Sequence, residues 1–354
     1  MTVSPSAAPS LTPWLSVLIP VYNVQDYLEE CVESVMAQWP TGDAAGQAIE
    51  VLLLDDCSTD GSASLMQALA ARWPGRLTLL RHAANVGLSA ARNTMIDAAR
   101  GDYLWFLDSD DKLLPGAIAQ LHAVVLQHPV DVVVCDFQVW RARERLKHWL
   151  RGERHRRTFA GAAGGPQRDG RLLAAGLLRT GQLHAWSKIS RRALWAGGLR
   201  FPAGRYFEDL ATMPQLALLA QSFFYVDRPW VAYRQRDGSI LSSMNLRKAH
   251  DQSAALAGFL NAYAAAHGNH PLPDSLRFAL AHQCARSLIG AQRSLPRWAE
   301  LEPRAALQAA SDRFRQDFAQ ASPMTLSELL RAYLLRGWWL RRAKLTRWYA
   351  YRPR

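Results

Sequence analysis

Residues 15–24, LSVLIPVYNV, are an unbroken apolar and β-branched run, the pattern of a strand buried on both faces. The period then changes. Over 25–39 the apolar positions Leu28, Cys31, Val32, Val35 and Met36 recur at helical spacing, with Asp26 near the start. A second apolar run, 49–54, closes on Asp55 and Asp56. The pattern predicts a helix over 62–73, a strand over 77–80, a helix over 89–99 and a strand over 103–107. That last strand closes on Asp108, Ser109, Asp110 and Asp111. Alternation of this kind predicts an α/β fold, an open, mainly parallel sheet with flanking helices and ligands at the carboxyl ends of its strands. No GxGxxG follows the first strand, which argues against a dinucleotide-binding domain.

Beyond residue 116 the pattern is less regular. Val124 and Val125 fall in a helix and 130–135 reads as a strand, after which a basic stretch interrupts. The glycine-rich segment 161–165 follows no strand and reads as a flexible loop. Residues 172–199 are expected to be mostly helical, 201–206 a loop, 208–219 a helix and 223–233 a strand. From 242 onward the chain is rich in Ala, Leu and Arg and reads as helical almost throughout. The expected divisions are a leader at 1–14, two halves of one α/β domain at 15–115 and 116–241, and a helical region at 242–354.

Composition narrows the class. Of 354 residues 49% are hydrophobic and 20% charged, a globular balance with a core large enough to need no disulfides. Cys31, Cys57, Cys135 and Cys284 form no CxxC pair, so a zinc ribbon or redox motif is not expected. Residues 1–14 carry no Lys or Arg, and no apolar run reaches about 20 residues. Neither a secretory signal nor a membrane span is expected, and the reading is a cytoplasmic protein.

The net charge of +12 is uneven. Residues 141–157 hold eight basic and two acidic side chains, and 329–354 hold eight basic and none acidic. These two stretches exceed the whole net charge, so the remainder is near neutral, and no motif for reading nucleic acid is present. The tail interleaves its cations with Tyr333, Trp338, Trp339, Trp348, Tyr349 and Tyr351. On one helical wheel Leu330, Leu334, Trp338, Leu345 and Trp348 share a face, with Arg341 on it as well. Three readings stand: a helix packed on the domain, attachment to an anionic membrane surface, or contact with single-stranded nucleic acid.

The acidic clusters carry the chemistry. Asp is common at helix caps and turns, but five carboxylates converging at one sheet edge repel one another unless a cation intervenes. A hard divalent ion held by one or two carboxylates and a diphosphate would serve.

The strings SVLIPVYNVQDYLEECVESV, LLLDDCSTDGS, NVGLSAARN and GDYLWFLDSDD, in this order, closely resemble the inverting family 2 glycosyltransferases of GT-A fold. AWSKISRRAL, GRYFEDLATMPQL and YRQRDGSI resemble the acceptor half of bacterial members that build surface polysaccharides. The resemblance covers about 15–240. It implies that 15–115 binds the nucleotide sugar and 116–241 the acceptor. Pro20, Val21 and Tyr22 would line the base pocket, with Asp55 and Asp56 at the base or ribose. Asp108 and Ser109 would lie by the ribose, Arg92 by the nucleotide, and Asp110 would bind Mn2+ or Mg2+. Asp209 matches the catalytic base, with Glu208 beside it. Arg236 and Ser239 are expected at the diphosphate, and Lys188 with Trp186 on the acceptor side. His184 stands as an extra metal ligand or, more simply, a structural histidine.

The implied reaction is metal-dependent inverting transfer from a nucleotide sugar, a UDP-sugar being the expected donor, to a saccharide or lipid-linked saccharide. The QxxRW string and membrane helices of processive members are missing, so a single addition is expected, on the inner membrane face if the tail attaches there. The rival reading is a non-catalytic sugar-nucleotide-binding or scaffold protein of the same fold.

Overall fold

The computed structural model describes residues 12–39, 48–141, 143, 145–236 and 244–353. The first half alternates as its pattern predicts: β1 (Leu15–Val21), α1 (Leu28–Met36), β2 (Ile49–Asp55), α2 (Ser62–Arg72), β3 (Leu77–Arg81), α3 (Leu88–Ala98) and β4 (Tyr103–Phe106). There follow β5 (Lys112–Leu113), α4 (Ala117–Gln127), β6 (Val132–Trp140), α5 (Leu146–Leu150), β7 (Pro166–Arg168) and α6 (Gly170–Thr180). Then come β8 (Lys188–Arg191), α7 (Ala193–Ala196), α8 (Glu208–Leu219) and β9 (Ser222–Arg234). Helices α9 (Leu246–Ala254), α10 (Phe259–His267), α11 (Asp274–Ser294), α12 (Arg304–Ala321), α13 (Leu326–Leu335) and α14 (Trp339–Tyr349) complete the chain.

The strands form one mixed sheet in the order β3-β2-β1-β4-β8-β6-β9-β5, with β7 also paired to β9. From β3 to β4 every pairing is parallel, with Val21 opposite Asp55 and Leu18 opposite Phe106. This register brings the ends of β1, β2 and β4 to one edge. All seven residues of β1 and of β2 are buried, as expected for strands covered by helices on both faces.

Residues 172–199 depart from the helical expectation. Helix α6 stops at Thr180, where Gly181 takes the left-handed conformation (φ +67°) that glycine adopts without Cβ strain. The chain then enters β8, which runs antiparallel between β4 and β6. The Trp105 indole donates to the Trp186 carbonyl at 2.8 Å and fixes this crossing. An apolar run carries no mark of being the filler of a gap in a sheet, so its pattern alone reads as helix.

Helices α6 and α8 share one continuous core with α9–α13 and with Val132, Phe223 and Tyr225 of the sheet. The helical region is therefore packed onto the second half of the α/β domain through apolar burial. Among the described residues no helix is long and apolar enough to cross a membrane. The four cysteines are free thiols.

The tail is two helices, not one. Gly337 (φ +68°) donates to Leu334 O at 3.0 Å and Trp338 N donates to Tyr333 O at 2.9 Å, the paired bonds of a Schellman stop. The indole of Trp338 packs on Tyr333 with ring centroids 5.7 Å apart. This break cancels the single helical wheel expected for 330–348.

Candidate active site

The site is built on the sheet edge where β1, β2 and β4 end. Beyond β1 Tyr22 is 46% exposed, and Asn23 holds φ +50°, a left-handed conformation that Asn tolerates better than most residues. Its Oδ1 accepts from Thr59 N at 2.8 Å, which ties the β1 exit to the turn after β2. Pro20 and Val21 are buried within β1.

The two aspartates that close β2 turn inward. Asp55 accepts from Ser58 N at 2.8 Å. Asp56 accepts from the His82 imidazole at 2.7 Å, from Val86 N at 3.1 Å and from Gly87 N at 2.8 Å. These bonds shape the loop that starts α3, where Gly87 sits at φ +89°.

Arg92, on α3, is 1% exposed and lies at the centre of the carboxylates. Its Nη2 donates to Asp108 at 2.8 Å, and its Nη1 to Glu208 at 2.9 Å and Asp209 at 2.7 Å. Burial works against the guanidinium charge, but Asp209, Asp108 and Glu208 outweigh it and hold the pKa above the ordinary arginine value. Glu208 and Asp209 occupy the first turn of α8, where the helix dipole favours negative charge. Phe207, which precedes them, is itself left-handed at φ +59°. The second oxygen of Asp209 accepts from Ala185 N at 3.0 Å. Burial, then the charge of Asp209, pushes Glu208 up to about 7 despite Arg92.

Burial raises all three carboxyls that follow β4, and neighbouring carboxylates add to it at Asp110 and Asp111. Asp108 is raised by burial, Asp110 by burial and then Asp108, and Asp111 by burial and then Asp110 and Asp108. Asp110 accepts from Arg236 Nε at 2.6 Å. Asp111 accepts from Arg234 N at 2.7 Å, while its Oδ2 is buried without a partner. Ser109 is buried between them.

These residues fit part of a divalent-cation shell. They are hard oxygen donors, they crowd one another, and one buried oxygen is unsatisfied. Among the described residues no group of three His, Cys, Asp or Glu forms a protein-only metal cage. One or two carboxylates suffice for Mg2+ or Mn2+ when phosphate and water complete the shell.

Lys188 and His184 are held by neighbouring groups. Lys188 is fully buried, and its Nζ donates to Gln182 O at 2.6 Å, His184 O at 2.9 Å and Ser187 Oγ at 2.8 Å. Burial lowers it to about 7 while Asp209 opposes the shift. It braces the Ala185–Ser187 turn that in turn donates to Asp209. His184 stacks on Trp186 with centroids 4.7 Å apart and planes 7° apart, and burial lowers it to about 3. Ser239 lies outside the described residues.

Sequence reasoning passed over Arg234. Its guanidinium lies 3.7 Å from the Trp140 ring centroid and donates to Glu30 at 2.7 Å and to Asp110 O at 2.7 Å. Lys112 covers the same ring at 3.6 Å. Arg234 lies two positions before Arg236 on one extended stretch, so the two could have been read as a basic pair near the acidic run.

Residues 16–174 match the family model described as glycosyl transferase family 2. An uncharacterized glycosyltransferase of Escherichia coli, YibD, is 30% identical over 64% of this chain and 62% of its own length. The glycosyltransferase GlyG of Streptococcus pneumoniae is 28% identical over 64% of this chain and 72% of its own. The chain thus spans about three fifths of YibD. Among solved structures, S. aureus TarS 1-349 in complex with UDP-GlcNAc superposes with a TM-score of 0.54 at 19% identity, covering 91% of this chain and 92% of that one. The mannosyltransferase PcManGT from Pyrobaculum calidifontis, in complex with GDP-Man and Mn2+, gives 0.53 at 18% identity over 96% and 87%. The GT-A fold is common to these structures and this chain.

Proposed function

Residues 16–174 match glycosyl transferase family 2, and on that premise we propose that the chain transfers one sugar, with inversion, from a nucleotide-diphosphate donor to a saccharide or lipid-linked saccharide. A UDP-sugar is the donor. The observation that carries the reading is the set of Asp108, Glu208 and Asp209 gathered on one buried Arg92 beside the crowded Asp110 and Asp111.

Asp209 is the general base. Each carboxylate oxygen has two lone-pair sites, so accepting from Arg92 and Ala185 leaves capacity for the acceptor hydroxyl. The hydroxyl proton passes to Asp209 while its oxygen bonds to the anomeric carbon. The bond from that carbon to the diphosphate oxygen breaks, and the nucleoside diphosphate leaves with the electron pair. A positioned base of this kind contributes roughly 10²–10⁴-fold. Asp110 would hold a divalent cation, which when bound would neutralise charge on the leaving diphosphate, so that no protein acid would be needed. Arg236, now on Asp110, is free to exchange that carboxylate for the diphosphate, and Tyr22 offers an exposed ring for the base. Arg92 orients Asp209.

Calorimetric titration of UDP, GDP and CMP, with and without Mn2+, tests this on the wild type and Asp110→Ala. UDP binding that Mn2+ strengthens in the wild type but not in the variant is expected. No binding of any nucleotide would overturn the reading.

A further inference from the structure

Two segments hold the excess positive charge, and the same two hold clusters of exposed apolar side chains. One is α5 with Leu146, Trp149 and Leu150. The other, larger one is the corner between α13 and α14. The Schellman stop at Gly337 separates the last residue of α13 from the first two of α14, and all three are exposed. Leu335 is 77% exposed, Trp339 62% and Leu340 87%.

The inner side of the same corner is anchored. Leu329, Tyr333 and Leu345 are buried in the helical core. His282 Nδ1 lies 2.6 Å from the Tyr333 hydroxyl, and Trp338 packs against Phe278 and His282 at 5.5 and 5.3 Å. The inner side of the corner is thus buried in the core while its outer apolar tip faces water.

Cations surround it. Arg331, Arg342, Lys344 and Arg347 are exposed, and residues 329–354 contain no carboxylate side chain. Arg336 and Arg341 stack on Phe278 and Trp338 at 3.8 and 4.0 Å, which fixes their charges at the base of the tip. Glu328, the acidic side chain just before this segment, pairs with Arg277 at 2.9 Å.

We propose that the α13–α14 corner docks on an anionic lipid bilayer, with Leu335, Trp339 and Leu340 entering the headgroup–acyl boundary and the surrounding cations meeting lipid phosphates. Bulky apolar side chains ringed by basic ones suit that boundary, where apolar burial and electrostatic attraction add. A nucleic-acid partner would use the cations but leave Leu335 and Leu340 without purpose. A packed-helix role alone uses only the inner face.

Flotation of the full chain with phosphatidylglycerol–phosphatidylcholine vesicles, against phosphatidylcholine alone, tests the proposal. The wild type is expected to float with the anionic vesicles only. Combined Leu335→Ser, Trp339→Ser and Leu340→Ser should weaken binding at least about tenfold. Arg342→Gln, Lys344→Gln and Arg347→Gln should weaken it about fivefold per cation removed, or roughly 100-fold together. Both sets change exposed side chains, and unchanged melting curves would establish that they fold. Undiminished flotation of the apolar-tip variant, or failure of the wild type to float, would overturn the proposal. Tight binding of a single-stranded oligonucleotide without flotation would do the same and favour nucleic acid. Neither donor nor acceptor enters this assay, so its outcome is independent of the transferase reading.

Discussion

Replacing Arg92 by Met removes the cation from beneath three carboxylates and keeps most of the side-chain volume. At an effective dielectric constant of about 20, unit charges about 4 Å apart attract by about 4 kcal/mol. Arg92 makes three such contacts, so the gross attraction is on the order of 12 kcal/mol at that dielectric constant. Desolvation of the guanidinium and repulsion among the carboxylates offset most of it. Breaking a buried pair by deleting one partner typically costs about 3–5 kcal/mol, and that is the expected loss at pH 8. The loss should shrink on acidification. Without Arg92, which opposes the upward shift of Glu208, the folded-state pKa of Glu208 rises further, and a carboxyl with a raised folded pKa regains stability as pH falls through that value toward its unfolded one. Urea unfolding of wild type and Arg92→Met at pH 5, 6, 7 and 8 measures the difference. A difference below about 1 kcal/mol on the scale of buried pairs, or one that is flat across this range, would refute the view of Arg92 as the counter-ion of the cluster. Arg92→Lys should recover little, because one ammonium cannot reproduce the fork that reaches carboxylates both beyond β4 and on α8.

Asp209→Asn should lower kcat by roughly 10²–10⁴-fold with nucleotide affinity unchanged, as read by steady-state kinetics beside calorimetry; turnover equal to wild type would favour the scaffold reading. Glu208→Gln carries the opposite pH signature to a salt-bridged acid. With its folded pKa raised to about 7 above its unfolded value, Glu208 destabilises the native state progressively as pH rises from its unfolded pKa to about 7, and the Gln variant should lose that slope in urea unfolding curves.

Much of the fold was legible because its local signals agree with the tertiary demand. The apolar runs at 15–24, 49–54 and 103–107 are long enough to be buried strands, the last two close on aspartates, and they became β1, β2 and β4 with little shift. The helix expected over 208–219 is α8 as observed, since Glu208 and Asp209 open it and Pro214 does not end it. The candidate site was legible as residue types clustered at strand ends, but their assignments were not. Asp55 and Asp56 look like Asp108 and Asp110 in sequence, yet the first pair accepts from backbone N–H groups of its own loops, while the second faces the guanidinium groups of Arg92 and Arg236. Lys188, expected on the acceptor side, is buried and braces the turn whose Ala185 N–H meets Asp209.

The sequence by itself determined the α/β alternation, the carboxyl-end location of the acidic clusters and the concentration of charge at 141–157 and 329–354. Those are properties of short windows, where side-chain period and local charge suffice. Tertiary structure alone decided the rest. Asp108 and Asp209 are a hundred residues apart, and only the packing of α8 against α3 and the end of β4 puts both on Arg92. Strand β8 exists because the sheet leaves a slot between β4 and β6, and Arg234 acts at the site because β9 pairs with β5. The corner that exposes Leu335, Trp339 and Leu340 depends on one glycine and on a core that holds Tyr333 and Leu345. Each is a long-range pairing or a packing choice, and no window of sequence contains both partners.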